Sequence, residues 1–126
     1  MRRFGRILAV DDEPALLHLF EQYLSRVGYE VEISSSAQNA LESFASDPEK
    51  YALVLADVTM PGMSGEELLN DLLRLNPGIR VVLCSGYPFD LHGLPEGVQQ
   101  QVRFLHKPFL PKTLLQTIEE LLGSGG

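Results

Sequence analysis

Short apolar runs alternate with segments of helical periodicity along the whole chain, and this alternation limits the fold more than any other feature of the sequence. Each apolar run is short enough for a strand and is followed by a stretch with apolar residues three or four positions apart. The predicted strands cover residues 7–10, 29–34, 51–56, 80–84 and 103–106. Strands that alternate with helices in this way favour a parallel sheet with right-handed crossover helices.

The helical segments after the first, second, third and fifth strands each have one apolar face. Their predicted core positions are Leu17, Phe20, Leu24 and Val27; Ala37, Leu41, Phe44 and Ala45; Leu68, Leu69, Leu72, Leu73 and Leu75; and Leu114, Ile118, Leu121 and Leu122. Ser64 and Glu67 form a capping-box pattern at the start of the third helix. The fourth segment, 86–101, contains Pro88, Gly93, Pro95 and Gly97, so we expect a short or shifted helix there.

Two strands differ in a way that predicts their place in the sheet. Residues 51–56 are apolar almost throughout, as expected of a central strand covered on both faces by helices. In the second strand Val31 and Ile33 alternate with glutamates, which indicates a position near an edge.

Size and charge limit the class of protein. The chain has 126 residues, of which 44% are hydrophobic and 21% charged, and this suits one globular domain. We expect the domain to span 1–122, with 123–126 as a flexible tail. A net charge of -7 argues against a nucleic-acid surface, and no apolar run has the length of a membrane span. The one cysteine, Cys84, cannot form an internal disulfide, so we expect a cytoplasmic location.

Polar residues follow four of the predicted strands directly. Asp11 and Asp12 follow the first strand, Asp57 the third, Ser85 the fourth and Lys107 the fifth. The carboxyl ends of parallel strands meet at one edge of the sheet, where α/β proteins bind ligands. Two charges about 4 Å apart repel by roughly 1 kcal/mol in water and ~4 kcal/mol near a protein surface, so three carboxylates need more than one lysine. A magnesium ion, which prefers oxygen ligands, would compensate them.

In five places the sequence resembles the receiver domains of bacterial response regulators and hybrid histidine kinases. The matching segments are Val10-Asp11-Asp12-Glu13-Pro14, Leu55-Ala56-Asp57-Val58-Thr59-Met60-Pro61-Gly62-Met63-Ser64-Gly65, Cys84-Ser85-Gly86-Tyr87, Phe104-Leu105-His106-Lys107-Pro108-Phe109 and the terminal amphipathic helix. We therefore predict a single doubly wound, flavodoxin-like (βα)5 domain of the α/β class. Its five parallel strands would have the order 2-1-3-4-5.

The resemblance implies a phosphoacceptor site. Asp57 would accept a phosphoryl group from a phosphohistidine or a small acyl phosphate. Asp12, Asp57 and the backbone carbonyl of Thr59 would hold Mg²⁺ or Mn²⁺, with Asp11 assisting partly through water. Lys107 would pair with the phosphoryl oxygens.

The resemblance also implies a switch. Ser85 would contact the phosphoryl group and move inward, and the ring of Phe104 would fill the space that Ser85 leaves. The Lys107–Pro108 peptide bond would be cis. Thr59 and Tyr87 would border the pocket and tune the lifetime of the acyl phosphate by admitting or excluding water.

The expected partner is a histidine kinase or a histidine phosphotransfer protein, and a homodimer through the face of helix four, strand five and helix five is a further expectation. Such a chain would catalyse only its own phosphorylation and dephosphorylation. The rival interpretation is an aspartyl-phosphate phosphatase or phosphotransferase, but Thr59 stands where its general acid should be. A flavin or nucleotide binder would need a glycine-rich loop after strand one, where acids stand instead. A free-standing regulator and a domain of a hybrid kinase both remain open.

Overall fold

Five strands and five helices alternate along the chain. The computed structural model describes residues 5–58, 65–87 and 94–122. The strands are β1 (Arg6–Val10), β2 (Glu30–Ser34), β3 (Tyr51–Asp57), β4 (Arg80–Ser85) and β5 (Val102–His106). The helices are α1 (Pro14–Arg26), α2 (Ala37–Ser46), α3 (Gly65–Leu75), α4 (Glu96–Gln99) and α5 (Pro111–Leu122).

The strands form one parallel sheet in the order β2-β1-β3-β4-β5, which confirms the predicted fold class. β3 is central, with Leu55 in register with Ala9 of β1 on one side and with Val82 of β4 on the other. β2 lies at the edge, as its alternation of apolar residues and glutamates predicted.

The sheet separates two apolar layers. Successive residues of β3 point to opposite faces. Val54 packs in the layer that contains the buried residues of α2 and α3. Leu53 and Leu55 pack in the layer that contains those of α1 and α5. This two-sided burial explains why β3 carries almost no polar residue before Asp57.

Two predicted core positions are wrong. Ala45 is exposed, and Ala40 is buried in its place, because α2 turns the face formed by Ala37, Ala40 and Phe44 towards the sheet. Leu75 is 41% exposed, since it is the last residue of α3 and lies beyond the buried stripe that ends at Leu72.

The fourth helix is short, as expected: within the described residues it comprises Glu96–Gln99. Residues 88–93, with two of the prolines and glycines that motivated the expectation, and Ser64 of the predicted capping box lie outside the described residues. Over the ranges 5–58, 65–87 and 94–122, no helix combines the length and apolar character needed to cross a bilayer.

A tyrosine joins the edge strand to the centre of the sheet. The Tyr51 hydroxyl donates a hydrogen bond of 2.9 Å to Oε1 of Glu32, and the Lys50 ammonium lies 3.7 Å from the same oxygen. Burial and the hydrogen bond to the Glu32 carboxylate raise the pKa of Tyr51 to about 12. The contact therefore stabilises the protonated tyrosine.

We expect Tyr51→Phe to lower the free energy of unfolding by about 1 kcal/mol at neutral pH, because it removes one hydrogen bond. The raised pKa also makes wild-type stability fall between pH 10 and about 12, where the unfolded chain loses a proton that the folded chain keeps. Urea denaturation of both proteins across this range tests the claim. A pH dependence that is the same in Tyr51→Phe would contradict it.

Candidate functional site

Four strand ends converge at the carboxyl edge of the sheet. Asp57 is the last residue of β3 and Ser85 the last of β4, while Asp11 and Lys107 directly follow β1 and β5. The backbone ladder continues past the strands: the Val58 amide donates to the Cys84 carbonyl at 2.9 Å, and the Lys107 amide donates to the Ser85 carbonyl at 2.7 Å. The functional side chains therefore start from backbone positions that are fixed by the sheet.

Lys107 bridges two buried carboxylates. Its Nζ donates to Oδ2 of Asp11 at 3.0 Å and to Oδ2 of Asp57 at 3.1 Å. Asp11 is 1% exposed and Asp57 is 5% exposed, so both charges lie largely out of water, where an unpaired charge is costly. The ammonium compensates them together.

The pKa values of the bridge reflect burial opposed by pairing. Burial alone lowers the pKa of Lys107, but the hydrogen bonds to the two aspartates outweigh it, and the pKa is raised above its ordinary value. The pKa of Asp11 is also raised, because burial outweighs the hydrogen bonds that it accepts from Lys107 and from the Glu13 amide. Lys107 therefore stays charged at neutral pH.

The three aspartates form a group of cation-binding size. Asp11, Asp12 and Asp57 each have a ligand oxygen, and these oxygens lie within 4.8 Å of one another. Asp12 is exposed, so the group opens to solvent on one side. Oxygen-only donors with room for water suit Mg²⁺ rather than a metal that prefers nitrogen or sulfur. The predicted fourth ligand, the carbonyl of Thr59, lies outside the described residues, as does the Thr59 side chain.

The predicted switch residues lie on the two strands nearest the lysine: Ser85 ends β4, and Phe104 lies in β5 three residues before Lys107. Ser85 is fully buried, and its Oγ accepts a hydrogen bond of 2.9 Å from the Tyr87 amide. It thus caps a backbone group, while the hydroxyl proton can still point elsewhere. Phe104 is half-buried against the layer of α2 and α3, and the side chain of Tyr87 is 72% exposed. The Lys107–Pro108 peptide bond is cis, the isomer that the resemblance implies.

Two site neighbours were missed at the level of sequence. Oε1 of Glu13 lies 3.9 Å from Nζ of Lys107, although no role at the site was predicted for Glu13. Gly65 packs so closely on Val58 that a Cβ at this position would overlap the valine side chain and lie 3.1 Å from its Cα. Gly65 ends one of the segments that match the receiver domains, but its packing partner could be identified only in the fold.

Residues 7–119 match the family model described as the response regulator receiver domain. The chain belongs to this family of receiver domains. It is 34% identical over 116 residues to sensor kinase CckA of Brucella abortus, covering 92% of this chain and 12% of that protein. It is 25% identical to the chemotaxis protein CheY of Thermotoga maritima, covering 92% of this chain and 96% of that one. This receiver domain thus spans a small part of some relatives and nearly all of another.

Solved receiver domains share the architecture. The receiver domain of the hybrid histidine kinase CckA is 31% identical and has a TM-score of 0.80, with 94% of this chain and 100% of that chain covered. The response regulator TrrA of Thermotoga maritima, solved in complex with Mg²⁺ and BeF, is 29% identical with a TM-score of 0.77, and the match covers 94% of this chain and 99% of that one. Membership places the chain among the signalling phosphoacceptors of two-component systems and disfavours the rival enzyme and nucleotide-binder interpretations.

We expect Gly65→Ala to lower the free energy of unfolding by about 1–3 kcal/mol, because the added methyl overlaps Val58 and the backbone must shift. Val58 directly follows Asp57, so the amide resonances of both residues should move in an NMR spectrum. Gly97→Ala is the matched control, since a Cβ at this position meets no described atom within 4 Å. Equal effects of the two substitutions on stability would contradict the packing argument.

Proposed function

We propose that this receiver domain accepts a phosphoryl group on Asp57 from the phosphohistidine of a histidine kinase or a histidine phosphotransfer protein. The observation that carries the proposal is the arrangement around the Asp57 carboxylate. This carboxylate lies 3.1 Å from the Lys107 ammonium and belongs to the group of three aspartate oxygens that fits a divalent cation. Positioning and neutralisation of charge are the main requirements of phosphoryl transfer.

In the proposed reaction an Asp57 oxygen attacks the phosphorus in line with the bond to the donor nitrogen. That P–N bond breaks, its electron pair stays on the imidazole, and a P–O bond to Asp57 forms. Lys107 already lies beside Asp57, so its ammonium can pair with phosphoryl oxygens without a large movement. The donor and the cation are therefore the components that the proposed phosphoryl transfer requires from outside the chain.

Asp11, Asp12 and Asp57 are the residues that would hold the cation, Mg²⁺ or Mn²⁺, and the Thr59 carbonyl remains the predicted fourth ligand. The bound cation would neutralise the negative charge that the phosphoryl oxygens bring. Asp11 would assist partly through water, while its two oxygens also accept hydrogen bonds from Lys107 and from the Glu13 amide. Asp12 is exposed and is the aspartate best placed to meet an incoming hydrated ion.

We expect the wild-type chain to gain one phosphoryl group on incubation with Mg²⁺ and acetyl phosphate, and Asp57→Ala to gain none. Intact-mass spectrometry measures the product. Chelation of Mg²⁺ should abolish the reaction, and Asp12→Asn should raise the Mg²⁺ concentration required by tenfold or more, since one of few charged ligands is lost.

Asp71→Asn is the matched control, because Asp71 is an aspartate of α3 paired with Arg74 outside the cluster. It should be phosphorylated like the wild type. A phosphoryl group retained in Asp57→Ala would displace Asp57 as the acceptor. With excess phosphodonor, repeated release of phosphate by each chain would instead support a phosphatase.

Phosphorylation would change the face formed by α4, β5 and α5 through Ser85 and Phe104. A phosphoryl group adds about -1.5 to -2 of charge and three strong acceptors. The Ser85 hydroxyl can donate to such an acceptor, and a shift of Ser85 would move the Tyr87 amide that it holds. The half-buried Phe104 ring could then fill the vacated space. The shift in population would be limited by how differently the phosphoryl group binds the two arrangements.

We expect beryllofluoride with Mg²⁺ to shift the ring resonances of Phe104 in the wild type but much less in Ser85→Ala, because the hydroxyl that transmits the change is absent. NMR titration gives both binding and the ring shifts. Ser46→Ala is the control, since Ser46 is an exposed serine at the end of α2. A Ser85→Ala protein that binds beryllofluoride and shifts Phe104 fully would refute the coupling.

Three finer features belong to the same proposal. Tyr87 and Thr59 would set the lifetime of the acyl phosphate by controlling access of water, which the dephosphorylation rate of Tyr87→Ala measures. A homodimer would form through the face of α4, β5 and α5, which light scattering with and without beryllofluoride measures. The location would be the cytoplasm, since a chain with one cysteine forms no internal disulfide, and cell fractionation tests this.

A further inference from the structure

Glu13 occupies a position where an acid would ordinarily cap a helix, but its side chain lies near Lys107 instead. It is the N-cap residue of α1, and its backbone carbonyl accepts hydrogen bonds from the amides of Leu16 and Leu17. Among the described residues, the Glu13 side chain makes no cap hydrogen bond. Its Oε1 lies instead 3.9 Å from Nζ of Lys107, with 66% of the side chain exposed.

Lys107 does not need this third carboxylate. Its ammonium already bridges Asp11 and Asp57 at hydrogen-bond distance, whereas Glu13 is farther away and remains in contact with water. The carboxylates of Asp11, Asp12, Glu13 and Asp57 with one ammonium have a formal net charge of -3. A dication reduces this to -1, and the remaining charge corresponds to the exposed carboxylate of Glu13.

We propose that Glu13 is a specificity-determining residue that places a negative charge at the mouth of the phosphoacceptor site and disfavours free anionic phosphodonors. A small phosphodonor must bring its own negative charge past Glu13 before it reaches Asp57. A protein donor meets the same repulsion but has contacts elsewhere that offset it. The charge thus favours phosphoryl groups delivered by a protein over those of free metabolites. This inference rests on the proposed function.

The donor's charge provides the test. Acetyl phosphate carries about two negative charges near neutral pH and phosphoramidate about one. With acetyl phosphate the P–O bond to the acetyl group breaks and acetate leaves with the electron pair. With phosphoramidate the P–N bond breaks and the nitrogen leaves as ammonia. In both reactions the phosphorus forms its new bond to Asp57, so the two donors differ at the mouth mainly in charge.

We expect Glu13→Gln to raise the phosphorylation rate with acetyl phosphate about two- to fivefold at low ionic strength, as one charge acting on a dianion at several Å predicts. The gain with phosphoramidate should be smaller, since the donor has about half the charge. Glu13→Lys should exceed Glu13→Gln, and added salt should reduce all of these differences. Intact mass at Mg²⁺ concentrations that saturate each variant gives the rates, and calorimetry gives the Mg²⁺ affinity separately.

Glu120→Gln is the matched control. Glu120 is also 66% exposed and lies 3.8 Å from the Nε atom of Arg103, but it is near the end of α5, roughly 14 Å along the helix from Pro111. It should behave like the wild type with both donors. Thermal unfolding verifies that every variant is folded.

The outcomes separate the two claims. A wild type that both donors fail to phosphorylate would overturn the proposed function and this inference with it. A wild type that is phosphorylated while Glu13→Gln reacts at the same rate or more slowly would overturn the inference alone. Equal gains with the two donors, or a Glu13→Lys protein slower than Glu13→Gln, would show that Glu13 positions Lys107 and does not select donors by charge.

Discussion

The site depends on one ammonium group held between two buried carboxylates. Lys107 lies 3.0 Å from Asp11 and 3.1 Å from Asp57, and both aspartates are almost fully enclosed. Without the Lys107 ammonium the fold would have to bury two like charges side by side. Proteins avoid this by protonating one of the groups or by exposing it to water. The Lys107 ammonium thus lies where it compensates both carboxylates in a place that is largely out of water.

Much of this arrangement could be predicted from the sequence, because the sheet determines it. Parallel strands place their carboxyl ends at one edge, so the positions of Asp57 and Lys107 at the ends of two apolar runs were enough to bring them together. The periodicity of the helices was less informative at their ends. Ala45 and Leu75 fit a helical stripe by spacing, but whether a stripe faces the sheet depends on the rotation of each helix, which sequence alone does not show.

The distribution of charge within the site was harder to foresee. Asp11, Asp12 and Glu13 are consecutive and chemically alike, so their order in the chain did not show which of them would be buried. The fold separates them: Asp11 is buried and bound to Lys107, whereas Asp12 and Glu13 remain exposed to solvent. Their different surroundings arise where β1 passes into α1, because each successive residue of an extended segment points in a new direction. These three consecutive residues therefore differ in burial and in their contacts.

β4 positions the two neighbouring strand ends of the site, a role that its composition does not suggest. Cys84 is in register with Asp57 on one side, and Ser85 is in register with His106, the residue before Lys107, on the other. One short apolar strand thus sets the spacing between Asp57 and Lys107. A volume change at a buried aliphatic position such as Val82 or Leu83 would disturb the strand that holds this spacing. Substitutions in the hydrophobic interior would in this way disturb the arrangement of Asp57 and Lys107 while leaving every polar residue of the site intact.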